Sequence, residues 1–200
     1  MERAMNEPIN VAPINVALIY GSTRQGRFCD VVGRWAAGRI EAWPDMALDL
    51  VDPAAFDLPA HHGEESPGLD ELRRRIERAD AFVLVTPEYN HGYPAILKHV
   101  IDSTGGGWRA KPVAFVSYGA MSGGLRAVEQ LRQVFVEMHA TTLRDGVSFH
   151  RAWAQFDDAG RLKDEAGGAA AADAMLDQLS WWALALRDAR ARRPYGRKAA

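Results

Sequence analysis

The sequence predicts a three-layer α/β/α protein, with a five-stranded parallel sheet in the order 2-1-3-4-5 and helices on both faces. Three observations carry this. Apolar runs alternate with stretches of helical periodicity in the order β-α-β-α-β-α-β-α-β-α, which is how a parallel sheet covered on both faces is written. The run at 14–20 is apolar but for Asn15 and the run at 81–85 is apolar throughout, as befits strands buried on both sides. There is no internal repeat or interior linker, right-handed crossovers restrict the topology, and five strands favour this order over a six-stranded dinucleotide-binding arrangement.

Taken in order, strand 1 spans 14–20. A helix follows over 28–42, with Phe28, Val31, Val32, Trp35, Ala36 and Ile40 at helical spacing, and Pro44-Asp45 breaks it. Met46–Val51 is strand 2, with one polar position at Asp49. Residues 52–67 read as a loop, punctuated by Pro53, Pro59, Gly63 and Pro67. A charged amphipathic helix runs from Leu69 to Ala79 after Ser66-Pro67. Strand 3 at 81–85 is the most apolar and β-rich, hence central. The helix Pro94–Ser103 starts on a proline, and Gly105-Gly106-Gly107 reads as a flexible connector. Strand 4 is Val113–Ser117, and a long helix spans Leu125–His139. Thr141–Val147 is a short fifth strand weakened by Arg144-Asp145-Gly146. Residues 150–167 are irregular, and a last helix runs from about Gly168 to Arg190. The domain reading is therefore a disordered lead-in at 1–12, a single domain at 13–190 and a basic flexible tail at 191–200.

Composition narrows the function. A chain of 200 residues that is 48% hydrophobic and 25% charged fits one globular domain with a sizeable core. A net charge of -2 gives no sign of a nucleic-acid partner. The single cysteine, Cys29, excludes an internal disulfide and a thiolate-rich metal site, and fits a reducing, cytoplasmic setting. No run is long enough to span a membrane, and residues 1–12 lack the apolar core of a signal peptide. His61-His62 beside Glu64-Glu65 reads as a solvated loop, because neighbouring residues seldom converge on one ion.

Three loops leave the carboxyl ends of strands 1, 3 and 4, and strands 1 and 3 flank the point where such sheets bind ligands. Loop 21–27 lacks both a G-x-G-x-x-G fingerprint and a phosphate-binding P-loop. It offers the hydroxyls of Ser22 and Thr23, the guanidiniums of Arg24 and Arg27, and the N-terminus of the next helix, a donor set suited to a phosphate. Pro87-Glu88-Tyr89-Asn90 joins a rigid turn, an aromatic face and an amide, which suits a planar heterocycle. Tyr118-Gly119-Ala120-Met121-Ser122-Gly123-Gly124 carries glycines that let backbone approach a ligand closely.

Together these stretches resemble the NADPH-dependent FMN reductase family of flavodoxin-like proteins, over roughly residues 14 to 148. Gly21-Ser22-Thr23-Arg24 is similar to its G-S-x-R motif. Pro87-Glu88-Tyr89-Asn90 with Pro94–Asp102 is similar to its P-E-Y-N…P…L-K-x-x-I-D stretch. The resemblance implies bound FMN, with the phosphate held by Ser22, Arg24 and Arg27. It implies that Pro87, Glu88, Tyr89 and Asn90 line the isoalloxazine and that Tyr118, Gly119, Ser122, Gly123 and Gly124 close its edge. Arg27, where many members carry serine, and Ser103 after Asp102, where many carry tryptophan, depart from the pattern.

The implied activity passes hydride from NADPH or NADH through FMN to a small flat acceptor such as a quinone, azo compound, nitroaromatic or free flavin. No general acid or base is nominated, and His91 and Glu88 are read as positioning or packing groups. The rival readings are a one-electron carrier, for which a charge of -2 is weakly acidic, and a flavin-free regulatory protein on the same fold. The resemblance further implies a homodimer or homotetramer, for which Trp108, Trp153, Trp181 and Trp182 are candidate exposed contacts, with packing of the last helix onto the sheet as the alternative role of Trp181 or Trp182.

Overall fold

The computed structural model describes residues 12–61 and 63–196. The strands are β1 (Ile14–Tyr20), β2 (Met46–Val51), β3 (Ala81–Pro87), β4 (Pro112–Gly119), β5 (Thr141–Thr142) and β6 (Val147–His150). The helices are α1 (Cys29–Glu41), α2 (Pro67–Arg78), α3 (Ala95–Thr104), α4 (Leu125–Glu137), α5 (Ala152–Gln155) and α6 (Glu165–Arg192). The sheet runs β2-β1-β3-β4-β5, the expected order, and every pairing is parallel.

Successive side chains of a strand point to opposite faces, so the apolar runs feed two cores at once. Val16, Leu18 and Tyr20 of β1 and Val83 and Val85 of β3 pack with α1 and α6. Ala17 and Ile19 of β1 and Phe82 and Leu84 of β3 pack with α2, α3 and α4. This is why β1 and β3 lack the apolar–polar alternation of a half-exposed strand.

Several expectations are corrected. The fifth strand is split into β5 and β6. The first pairs with the start of β4 and the second with its end, so both lie on one sheet edge. Arg144–Gly146 separates them, because Asp145 turns aside to Arg144 and Gln178. The glycines at 105–107 begin a 3-10 turn that ends at Trp108. Trp108 is fully buried, its indole N–H donating to Thr104 Oγ1 at 2.8 Å and its ring between Phe82 and Phe135, so it is core and no interface residue. Residues 152–155 form the short helix α5, and the last helix is longer than expected, with Asp164 capping it through the Gly167 amide. At the tail, Tyr195 places its hydroxyl 3.0 Å from His139 Nδ1, so residues 193–196 fold against the end of α4. The rest of that tail, and the lead-in except Ala12, lie outside the described residues.

Lys111 shows a structural cost at the far end of the sheet. Its ammonium is buried and donates to the carbonyls of Ile76 at 3.0 Å and Glu77 at 2.7 Å, closing the C-terminal end of α2. Burial pushes its pKa down to about 8, with the nearby Arg190 charge adding to the effect. The unfolded chain keeps this proton up to about pH 10.4. Between those values the unfolded state binds more protons, so the folded state gains stability as pH rises. The expected result is that wild type gains on the order of 2 kcal/mol relative to Lys111→Met between pH 8 and pH 10.5 in urea titrations. A difference that stays flat with pH would refute the depressed value.

Candidate functional site

The loops after β1, β3 and β4 meet at the carboxyl edge of the sheet, where β1 has β2 on one side and β3 on the other. Gly21 is needed there for close approach. Its amide donates to the Val85 carbonyl at 2.8 Å, and a Cβ on it would fall 2.7 Å from that same oxygen. Ser22 is buried, and its hydroxyl shares a hydrogen bond of 2.6 Å with the Tyr89 hydroxyl, which ties the first loop to the second. Ser22 Oγ also accepts from the Arg24 amide at 3.4 Å.

The two arginines of the first loop have different fates. Arg24 is exposed, and its guanidinium sits 5.0 Å above the centre of the Tyr89 ring, without an ion pair among the described residues. Arg27 is enclosed, its side chain 10% exposed. Its Nε donates to Asp30 at 2.8 Å, Nη1 donates to Asp52 at 2.8 Å and to the Ser22 carbonyl, and Nη2 donates to the other Asp52 oxygen. Its face lies 5.2 Å from the centre of the Tyr20 ring. The Asp52 carboxylate raises the Arg27 pKa further above its ordinary value. Burial alone would raise the Asp52 pKa, but Arg27 and the Ala54 amide outweigh it and hold the carboxyl below its ordinary value. The sequence places two guanidiniums at an anion; the structure leaves one available. The amides of Thr23, Gln25 and Gly26 have no partner among the described residues. This donor set, one unpaired guanidinium with neighbouring open amides beside an aromatic ring, fits a phosphate monoester attached to a flat ring system.

The second loop is a tight turn. Tyr89 and Gly92 exchange backbone hydrogen bonds of 2.9 and 3.1 Å, and Asn90 and His91 between them both have positive φ, at 49° and 74°. Such a turn tolerates asparagine well. Glu88 does not line an open face. Its side chain is 6% exposed, and its carboxylate accepts from the Arg126 guanidinium, from the Arg126 amide at 3.3 Å and from the Ser122 hydroxyl. Burial pushes the Glu88 carboxyl up, but Arg126 and Ser122 prevail and leave its pKa below the ordinary value. Glu88 therefore acts as an anchor between the second and third loops, and caps α4 in place of Gly124, which has no side chain to do so.

The third loop also departs from expectation at Tyr118. Its side chain is buried in the core with Cys29 and Phe28, and burial pushes its phenol far up. Only backbone from this residue is available at the sheet edge. Cys29 is packing as well, its thiol directed at the Val85 carbonyl at 3.7 Å and pushed up to about 11 by burial. Gly123 and Gly124 have φ of 62° and 87°, and the Gly123 carbonyl accepts from Ser117 at 2.8 Å and Ser148 at 3.0 Å. Asp52 and Arg126 escape sequence reasoning. Each is a lone charge, and only folding brings it 25 or 38 residues along the chain to its partner.

A cavity of about 1100 Å³ lies at the opposite end of the sheet between His139, Thr141, Arg190 and Tyr195. It is at the amino ends of β4 and β5, away from the edge where open α/β sheets bind ligands.

Residues 14–154 match the family described as NADPH-dependent FMN reductase. The chain belongs to that family. Among the family's curated members, it is 35% identical to the probable NADPH:quinone oxidoreductase 1 of Oryza sativa subsp. japonica over 150 residues, covering 70% of this chain and 74% of that protein. It is 33% identical to a quinone reductase of Pseudomonas putida over 165 residues, covering 76% of this chain and 86% of that one. Among solved structures, the flavoenzyme NAD(P)H:(acceptor) oxidoreductase FerB from Paracoccus denitrificans shares the fold, with a TM-score of 0.63 at 22% identity, covering 84% of this chain and 97% of that one. In this FMN reductase family member, the G-S-x-R and P-E-Y-N stretches are thus held together by the Ser22–Tyr89 hydrogen bond and the stacking of Arg24 on Tyr89.

Proposed function

We propose that this chain binds FMN at the carboxyl edge of the sheet and catalyses NAD(P)H-dependent reduction of small flat acceptors, quinones first among them. The observation that carries the reading is Arg24, without an ion pair among the described residues and stacked over Tyr89 at the strand-order switch, beside amides that have no partner among those residues. Arg24 and the amides of Thr23, Gln25 and Gly26 hold the phosphate. Tyr89 and Asn90, on a tight turn tied to Ser22, supply an edge for the ring system, and the backbone at Gly119, Gly123 and Gly124 closes it. The chemistry supplied by a bound FMN is two-electron transfer between a reduced nicotinamide and the acceptor. The chain's own part is binding and orientation. Glu88, anchored by Ser122 and Arg126, sets the spacing of two loops and stays ionised at neutral pH, which suits positioning rather than proton donation.

We include self-association in this reading. Met121 is 83% exposed and Trp153, on α5, is 60% exposed, and the chain just before α5 is joined to the third loop by the hydrogen bonds Arg151 N to Ala120 O and His150 Nδ1 to Met121 O. Two large apolar side chains beside the site are suited to a second copy of the chain. The expected result is a yellow protein that takes up FMN, oxidises NADPH or NADH in steady turnover with a quinone, and scatters light as a dimer or larger. A protein without flavin absorption after incubation with FMN overturns the reading. Flavin uptake with no quinone-dependent turnover overturns the reductase assignment and favours a one-electron carrier.

A further inference from the structure

Arg27 occupies the position expected of a second phosphate ligand, yet its donors are engaged within the protein. Nε serves Asp30, Nη1 serves both Asp52 and the Ser22 carbonyl, and Nη2 serves Asp52, which accounts for four of the five N–H groups of a guanidinium. Asp52 directly follows β2, whose last residue Val51 is in register with Ile19 of β1. The pair therefore links the base of the first loop to the neighbouring strand across 25 residues of sequence.

The contact with the Ser22 carbonyl has a geometric consequence. In a trans peptide the C=O and the following N–H point in opposite directions. With the Ser22 carbonyl drawn towards Arg27, the Thr23 amide is directed away from it, and Thr23 is exposed with that amide unpartnered among the described residues. The Ser22 hydroxyl, held by Tyr89, fixes the Arg24 amide on the same stretch. Two carboxylates, Asp30 and Asp52, also stand close to a proposed anion site, and Arg27 is the cation that compensates them.

We propose that Arg27 and Asp52 form a positioning pair that pins the Ser22–Thr23 peptide so that the Thr23 amide faces the flavin phosphate, while Arg24 alone supplies the formal positive charge. This rests on the reading that the phosphate sits at loop 21–27. It assigns Asp52, outside every recognised motif stretch, to flavin selectivity.

The test compares FMN with riboflavin, which lacks the phosphate. Affinities for both are measured by quenching of flavin fluorescence on protein freed of flavin, for wild type, Arg24→Ala, Arg27→Gln, Asp52→Asn, Asp52→Glu and the Arg27→Gln/Asp52→Asn double variant, with a urea midpoint for each. Arg27→Gln and Asp52→Asn are each expected to lower the FMN-to-riboflavin affinity ratio about tenfold, and the double variant is expected to match the larger single loss within about twofold. Asp52→Glu keeps the carboxylate and is expected to stay within about threefold of wild type. If Asp52→Asn leaves the ratio unchanged or raises it while Arg27→Gln lowers it, Arg27 grips the phosphate itself and the proposal is wrong. If both variants lower the urea midpoint and leave the ratio at the wild-type value, the pair is only structural and the proposal is equally wrong. If Arg24→Ala leaves the ratio at the wild-type value, the placement of the phosphate at this loop is what has failed.

Discussion

Replacing Arg24 with alanine is expected to weaken FMN binding about a hundredfold while changing riboflavin binding no more than a few-fold. A charge-assisted hydrogen bond contributes about 1.5–3 kcal/mol, and Arg24 can give two from one planar group. Arg27 cannot replace it, because moving that guanidinium would uncover Asp52 and Asp30 next to a dianion. Arg24 is exposed, so salt screens its contribution and the wild-type preference for FMN narrows as ionic strength rises. Parallel titrations of both flavins at low and high salt check this. An equal loss for the two flavins would mean that Arg24 does no more than cover the Tyr89 ring.

Gly124→Ala is expected to lower the unfolding free energy by about 3 kcal/mol, a large share of the roughly 5–15 kcal/mol that holds a domain together. Two costs add. The residue sits at φ 87°, where an alanine side chain costs about 1–2 kcal/mol. Its Cβ would fall 2.8 Å from the Ser117 Cβ and 2.9 Å from the Tyr118 nitrogen, and overpacking against such a rigid strand costs about 1–3 kcal/mol. Gly26→Ala is the matched control. It has a positive φ of 66° but nothing within 4 Å of a new Cβ, so only the first cost applies. Urea unfolding followed by circular dichroism measures both. Equal losses would show that the approach of the third loop to β4 is not limiting.

The motif loops were legible because each is local. The hydroxyl, guanidinium and glycine of 21–27, and the aromatic and amide of 87–90, are read from adjacent letters. The strand order was legible for a related reason: strands that are apolar at nearly every position are central in a parallel sheet, and the observed order follows. What failed were particular expectations about where a side chain points. Tyr118 reads as the start of a glycine-rich loop yet turns into the core, since it belongs to β4 and lies on the same face as Val116. Trp108 follows three glycines yet is enclosed by Phe82 and Phe135 from distant strands and helices. The fifth strand divides where Asp145 turns aside to Gln178, a partner 33 residues away that only the fold brings near.

By itself the sequence determined the layered architecture, the strand order and the three loops that converge on one edge, because periodicity, glycine and proline act over a few residues. Only the tertiary structure decided how the charges divide among those loops. A guanidinium takes the partner that desolvates with it in the folded chain. Arg27 meets Asp52 at the end of β2, Glu88 meets Arg126 at the start of α4, and Arg24, facing solvent above Tyr89, is left to meet a ligand.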